Sequence, residues 1–240
     1  MLEEGEAVDK IYGSSFLPYS GNTDISEDVF YLARGTRINL VDYKESTNDR
    51  RLNKKIEHLG LTLKYLDKKD FNIFDEKFVD FILKFQNERF ANGEMTKERL
   101  VYILNKPFFN KILVIFSEEL EKELGYVFVC EGDNCLHYWF CFYDTDYFEL
   151  SLGKWIMYQT IVLAKELGKQ YLYLGTSYTK NSLYKGDFNG FEFWDGVNWN
   201  KDKKLLAYLI ENTHSENTLD NYKKRTDLQL INIFNFDATI

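Results

Sequence analysis

The chain has 240 residues, 45% hydrophobic and 17% aromatic, enough apolar material for one substantial core. Its 30 Lys and Arg against 38 Asp and Glu give a net charge of −8, which excludes a strongly basic coat that binds nucleic acid regardless of sequence. Two prolines and no apolar run of roughly 18 residues exclude a low-complexity chain and a membrane-spanning helix.

The acidic start Met1-Leu2-Glu3-Glu4 lacks the basic beginning of a signal peptide, so a cytoplasmic protein is expected. Thr36–Tyr43 alternates polar and apolar residues as a strand, and Asn48–Leu59 follows as a charged helix. Between Lys44 and Lys69, eight Lys or Arg stand against four acids, a local basic stretch in an acidic chain. It is either a solvated helix face or a contact surface for a phosphate backbone. Leu61–Leu66 alternates again. Phe78, Phe81, Ile82 and Phe85 then line one face of a helix running to about Asn92, and a second helix opens at the N-cap Thr96 and ends before Pro107.

Lys111–Phe116, Leu124–Cys130 and Cys135–Tyr143 read as antiparallel strands, the last two joined by the turn Glu131-Gly-Asp-Asn134. The three cysteines, without metal or disulfide spacing, are expected to pack as small apolar residues, and no metal is expected. Ser151 offers a cap for a helix ending at Gly168, and Gln170–Gly175 is a further strand, completing a βαβ unit. A short strand at 191–197, a helix at 202–212, a polar linker at 211–227 and a terminal strand at 228–236 close the chain. The expected organisation is an N-terminal segment over 1–70 carrying the basic stretch and a domain over 71–240, which could together form one compact unit.

This order of elements is that of the GCN5-related acyltransferase fold: α+β, with a mixed, mainly antiparallel sheet flanked by helices. More specific is Phe142-Tyr-Asp-Thr-Asp-Tyr-Phe-Glu-Leu-Ser-Leu-Gly-Lys154, continuing through Ala164–Gly168 and Tyr171–Gly175. It resembles the bacterial leucyl-tRNA and the arginyl-tRNA protein transferases. Tyr184, Lys185, Phe188 and Glu192 keep the spacing of that family's YKxxFxPxE element, with Gly196 and Trp199 near its GxW. Phe85–Met95 looks like its YxxxRHxxGxM, and Tyr12–Pro18 with Arg50, Arg51 and Lys54 resembles its N-terminal segment. The chain departs from the family in lacking a cysteine-rich block over Tyr19–Arg34, in Phe90 after Arg89, in Thr176-Ser177 after Gly175, and in Gly190 where the element has proline.

The resemblance implies transfer of an aminoacyl group from the ester of a charged tRNA to the α-amine of a protein or peptide N-terminus, with no cofactor beyond the aminoacyl-tRNA co-substrate. Neither DNA nor a membrane is an expected partner. For the donor, the helix start Ser151-Leu152-Gly153-Lys154 presents backbone N–H groups suited to a phosphate, and Tyr184 and Lys185 stand as further contacts. For the chemistry, Asp144, Asp146 and Glu131 lie at strand ends, where one could hold an ammonium or accept its proton; Tyr143 could donate to a developing oxyanion. Arg89, Tyr173, Gly175 and Tyr178 are candidates for the acceptor, and Arg50, Arg51, Lys54 and Lys55 for tRNA. His137, alternating with Cys135 and Trp139, reads as a hydrogen-bonded core or cleft histidine.

Two other readings remain. Coenzyme A could use the same helix start, with acetyl-CoA as donor, although only Gly153 of the usual glycine-rich signature is present. The other is a catalytically inactive relative that binds a peptide N-terminus or RNA.

Overall fold

The computed structural model describes residues 4–90 and 95–212. The chain begins with a helix that the sequence pattern did not reveal, α1 (Glu4–Gly13), followed by a two-stranded antiparallel ribbon of β1 (Phe16–Pro18) and β2 (Phe30–Leu32). β3 (Gly35–Asn39) then enters the main sheet. α2 (Thr47–Ile56) starts where Ser46 and Asp49 satisfy each other's backbone N–H groups, with Asp49 N donating to Ser46 Oγ at 3.1 Å and Ser46 N to Asp49 Oδ2 at 2.8 Å.

β4 (Leu61–Asp67) leads to two helices, α3 (Glu76–Arg89) and α4 (Lys97–Leu104). Thr96 caps α4 as its sequence suggests, accepting from Arg99 N, and α3 has a cap not anticipated from the sequence, Asp75, which accepts from Lys77 N and Phe78 N. β5 (Lys111–Ser117), β6 (Lys122–Glu131) and β7 (Cys135–Tyr143) form the expected antiparallel meander. α5 (Leu152–Glu166) crosses over to β8 (Tyr171–Thr176), which pairs parallel with β7, so the βαβ reading holds. Gly168, at φ +71°, takes the left-handed position that ends α5. β9 (Phe191–Trp194), β10 (Trp199–Asn200) and α6 (Lys203–Asn212) follow. The expected terminal strand at 228–236 lies outside the described residues.

The main sheet has eight strands in the order β10-β9-β3-β8-β7-β6-β5-β4, all pairs antiparallel except β7 with β8. The fold is therefore the expected α+β arrangement. Residues before 71 supply both an inner strand, β3, and an edge strand, β4, of this one sheet.

Strand alternation divides the core between the two faces. Leu113, Ile115, Val127 and Val129 turn toward Trp155, Ile156 and Ile161 of α5. Ile112, Val114, Phe128 and Phe142 turn toward Phe78, Ile82 and Phe85 of α3 and Leu100 and Ile103 of α4. The phenylalanine stripe of α3 is thus core, as its spacing suggests. Among the described residues no helix is long and apolar enough to cross a membrane.

Candidate functional site

The parallel pairing of β7 and β8 stops at His137 and Tyr173. Beyond it β7 runs on to Tyr143, and α5 begins only after a 3-10 segment over Thr145–Leu150. The C-terminal half of β7, the start of α5 and a later 3-10 segment over Lys180–Asp187 enclose a cleft of about 640 Å³. Its walls are Tyr138, Cys141 and Tyr143 from β7; Phe148, Glu149, Ser151, Gly153 and Lys154 around the start of α5; Asn181 and Tyr184; and Arg89 from the end of α3. A second, shallower hollow of about 450 Å³, lined by Asp67, Lys68, Lys69, Phe71 and Phe109 among others, contains none of the residues singled out from the motifs.

Several candidates thus meet in the cleft, with corrections to how they are held. Ser151 makes no side-chain cap; it sits at φ +63°, a left-handed turn between the 3-10 segment and α5. Leu152 is fully buried in the core. Gly153 does allow close approach, but of Tyr143: a Cβ there would stand 2.6 Å from the ring carbon Cε1. Gly153→Ala is accordingly expected to push the Tyr143 ring aside and cost about 1–3 kcal/mol, read from denaturant unfolding; an unchanged midpoint would show that the ring yields freely. Lys154 pairs with Asp187 at 2.6 Å. Arg89, a candidate for the acceptor, lies in this same cleft with its guanidinium 4.4 Å above the Phe148 ring.

Other candidates lie elsewhere. Asp144 caps its own turn, accepting from Asp146 N at 3.2 Å, and pairs with Lys122 at 3.0 Å. Asp146 is exposed and, like Asp144, does not line the cleft. Glu131 belongs to the opposite end of the sheet, opposite Leu136, whereas Tyr143 lies opposite Gly125. That separates it from the cleft end of β7 by roughly 23 Å at the usual strand rise. There it bridges Lys111 and Lys169.

Tyr173 is buried at 1% exposure and stacked on Tyr12, with ring centroids 5.3 Å apart. Gly175 takes φ +73°, and the Tyr178 hydroxyl accepts from Arg34 N at 2.9 Å; neither lines the cleft. Lys185 points away from the cleft into the sheet, donating to the carbonyls of Leu174 at 2.6 Å and Thr176 at 2.8 Å. Sequence spacing could not show this, because a lysine beside an exposed tyrosine reads as a surface residue.

Burial keeps the cleft's hydroxyls and thiol protonated. It lifts the Tyr184 phenol to about 12, raises those of Tyr143 and Tyr138, and lifts the Cys141 thiol to about 12. The phenols are thus hydrogen-bond donors, and the Cys141 thiol is held in its protonated, slowly reacting form. Tyr138, Cys141, Phe148, Glu149 and Asn181 were missed from sequence. Tyr138 and Cys141 belong to an aromatic strand that offers no local sign of which side faces a cavity.

His137 is buried with its Nδ1 3.0 Å from the Tyr12 hydroxyl, as its strand position suggested, and Nε2 has no partner among the described residues. Desolvation, reinforced by nearby Lys185, pulls its pKa down to about 3.

The basic side chains of α2 are exposed. The helix is fixed to α5 by Asn53, whose Oδ1 accepts from Trp155 Nε1 at 2.9 Å and Gln159 Nε2 at 3.2 Å. Lys55 reaches the cleft rim, donating to the Glu149 carbonyl at 2.6 Å. Arg50 is drawn toward Glu45 at 3.5 Å. The basic helix and the cleft are therefore neighbours.

Residues 63–195 match the family model described as arginine-tRNA-protein transferase, C terminus. The aspartate/glutamate leucyltransferase of Pseudoalteromonas atlantica is 27% identical over 143 residues, 58% of either chain, so the match spans less than two thirds of that relative. Among solved structures, a C-terminal domain ascribed to lysylphosphatidylglycerol synthetase from Agrobacterium fabrum aligns with TM-score 0.47 and 15% identity, over 64% of this chain and 49% of that one. A GCN5-related glucosamine N-acetyltransferase region of a fungal multi-domain enzyme aligns with TM-score 0.42 and 10% identity, over 81% of this chain and 22% of that one.

Proposed function

The chain belongs to the arginine-tRNA-protein transferase C-terminal family, and from that premise we propose that it moves an aminoacyl group from charged tRNA to the N-terminal amine of a protein or peptide, in the cytoplasm and without a separate cofactor. The carrying observation is that Arg89, Tyr143, the α5 start and Tyr184, drawn from three separated motifs, meet in one cleft beside the basic helix α2.

In this reading α2 holds the phosphate backbone near the acceptor end of the tRNA through Arg51, Lys54 and Lys55, with Arg50 beside them. The aminoacyl ester enters the cleft, where Arg89, Lys154 and the first N–H groups of α5 favour the terminal phosphate. The neutral α-amine of the acceptor attacks the ester carbonyl. Protonated Tyr143 and Tyr184 donate hydrogen bonds to the oxygen that gains charge. The tetrahedral intermediate collapses with loss of the ribose oxygen, which takes up a proton as the amine releases one. Among the described residues Glu149 is the acidic residue that lines the cleft, and in this reading its carboxylate receives the acceptor's ammonium or its proton. No covalent enzyme intermediate is needed, and positioning supplies much of the rate.

The test is mass spectrometry of a peptide library differing in N-terminal residue, incubated with the protein and total aminoacylated tRNA, alongside acetyl-CoA tubes. An aminoacyl increment confined to the tRNA tubes is expected. An acetyl increment would move the donor to coenzyme A, and no increment with either would favour the inactive binding relative. For tRNA binding, Arg51→Ala/Lys54→Ala/Lys55→Ala is expected to flatten the plot of log affinity against log salt by about 0.7–0.9 for each phosphate that is no longer neutralised. An unchanged slope would remove α2 from the interface.

A further inference from the structure

Where β7 and β8 part, β8 is left with main-chain carbonyls that no strand can satisfy. Carbonyls alternate sides along a strand. That of Gly175 faces β3 and accepts from Thr36 Oγ1 at 2.9 Å. Those of Leu174 and Thr176 lie beyond the last β7 pairing, at His137 and Tyr173, and both accept from Lys185 Nζ, at 2.6 and 2.8 Å. Buried carbonyls left unpaired are costly, so a side chain that supplies both donors is held firmly.

Lys185 belongs to the Lys180–Asp187 segment, whose Asn181 and Tyr184 form one wall of the cleft. Outside Lys185, the 3-10 segment is held from its other side: Ser182 Oγ bonds Ser177 Oγ at 2.7 Å and the Thr179 carbonyl at 2.5 Å, Lys180 pairs with Glu211 at 2.9 Å, and Leu183 packs on the core, whereas Lys185 is its tie to the open edge of β8. Asp187 is bound to Lys154, itself a cleft residue. Tyr184 remains 39% exposed and lines the same cleft as Cys141.

We propose that Lys185 is a positioning residue, whose amine replaces the missing strand partner of β8 and thereby holds the Asn181–Tyr184 wall over Cys141 to give the cleft its donor-binding shape. The consequence for activity rests on the function proposed above. The consequence for the wall does not, and it is read first.

Cys141 lines the cleft, while Cys130 and Cys135 are buried at 0% and 1% exposure. Alkylation by iodoacetamide, followed residue by residue in the native protein, therefore reports on the wall and on the fold separately. In Lys185→Met the Cys141 rate is expected to rise at least tenfold while Cys130 and Cys135 stay protected. Lys185→Gln, which keeps two N–H donors, is expected to return the rate most of the way to wild type. A wild-type Cys141 rate in Lys185→Met overturns the assignment. So does joint labelling of all three cysteines in both variants, which would make Lys185 a support of the whole fold. If Lys185→Met alone loses its fold, the decision passes to Lys185→Gln, where a Cys141 rate within threefold of wild type with intact fold supports the assignment and a larger rise overturns it.

In the transfer assay, Lys185→Met should raise KM for charged tRNA at least tenfold with kcat changed less than threefold. An altered wall in a protein whose wild type transfers nothing would count against the proposed function alone.

Discussion

Acidification from pH 6.5 to about 3 is expected to cost the protein about 4 kcal/mol through His137 alone. The imidazole is 1% exposed, and burial with the adjacent Lys185 charge holds its folded pKa near 3, against 6.5 for the free side chain. In that window the unfolded chain takes up a proton that the folded one refuses. A depressed folded pKa means that the stability is fully present above 6.5 and is withdrawn as pH falls toward 3. Carboxylates titrate in the same range, so the comparison is with His137→Asn, whose amide can still meet the Tyr12 hydroxyl but cannot be protonated. Denaturant unfolding across the pH series should give the variant a shallower loss, by close to one proton's worth of slope. Parallel curves would mean that His137 is hydrated or protonated in the folded state.

Sheet and helices were readable because their signals are local. The cap at Thr96, the phenylalanine stripe of α3 and the stop at Gly168 each depend on residues a few positions apart. α1 escaped because its sequence, EGEAVDKIYG, carries two glycines and is short, with an apolar face of only Val8, Ile11 and Tyr12; it is held by tertiary contacts such as Tyr12 on Tyr173. The motifs located the cleft but not the roles within it. Tyr143 and Gly153 look like independent functional residues in sequence, yet the glycine is small so that the tyrosine ring can lie against it. Asp144 and Asp146 stand in a matching motif, and the first is occupied by its own turn and by Lys122. A partner such as Lys122 is 20 or more residues distant in sequence, beyond the reach of pattern.

The YKxxFxPxE-like element shows the same division. Its tyrosine faces the cleft, its lysine ties β8, its phenylalanine, Phe188, is buried at 1% exposure, and its glutamate meets an arginine from β3. Three of its four matching residues therefore serve to seat the segment that carries the fourth. The glycine that replaces the proline fits this account. Gly190 takes φ +75°, and a Cβ there would lie 2.4 Å from the Asn39 carbonyl oxygen, so the segment turns in close against the end of β3.

The glutamate end of that seat carries the second large expected effect: Arg37→Met should cost about 3–5 kcal/mol. Arg37 Nε and Nη2 each lie 2.7 Å from Glu192 Oε2, with both side chains less than a tenth exposed. The guanidinium lies between two rings, 3.9 Å from the Tyr171 centroid and 4.0 Å from that of Trp199. Without it the Glu192 carboxylate stays buried, with Lys201 at 3.8 Å as its remaining cation among the described residues. The penalty thus comes from an uncompensated charge rather than from reduced packing, which a methionine largely keeps. It follows that Arg37→Met/Glu192→Leu should recover most of the stability, because removing both charges also removes the desolvation they needed. Thermal and denaturant unfolding of the two variants decide the matter. A double variant as unstable as the single one would show that shape between the rings, not the ion pair, is what Arg37 provides. The double variant should also keep the Cys141 alkylation rate of wild type, since β9 remains paired to β3 through the main chain. The cleft wall would then depend on Lys185 and not on the glutamate at the far end of the same element.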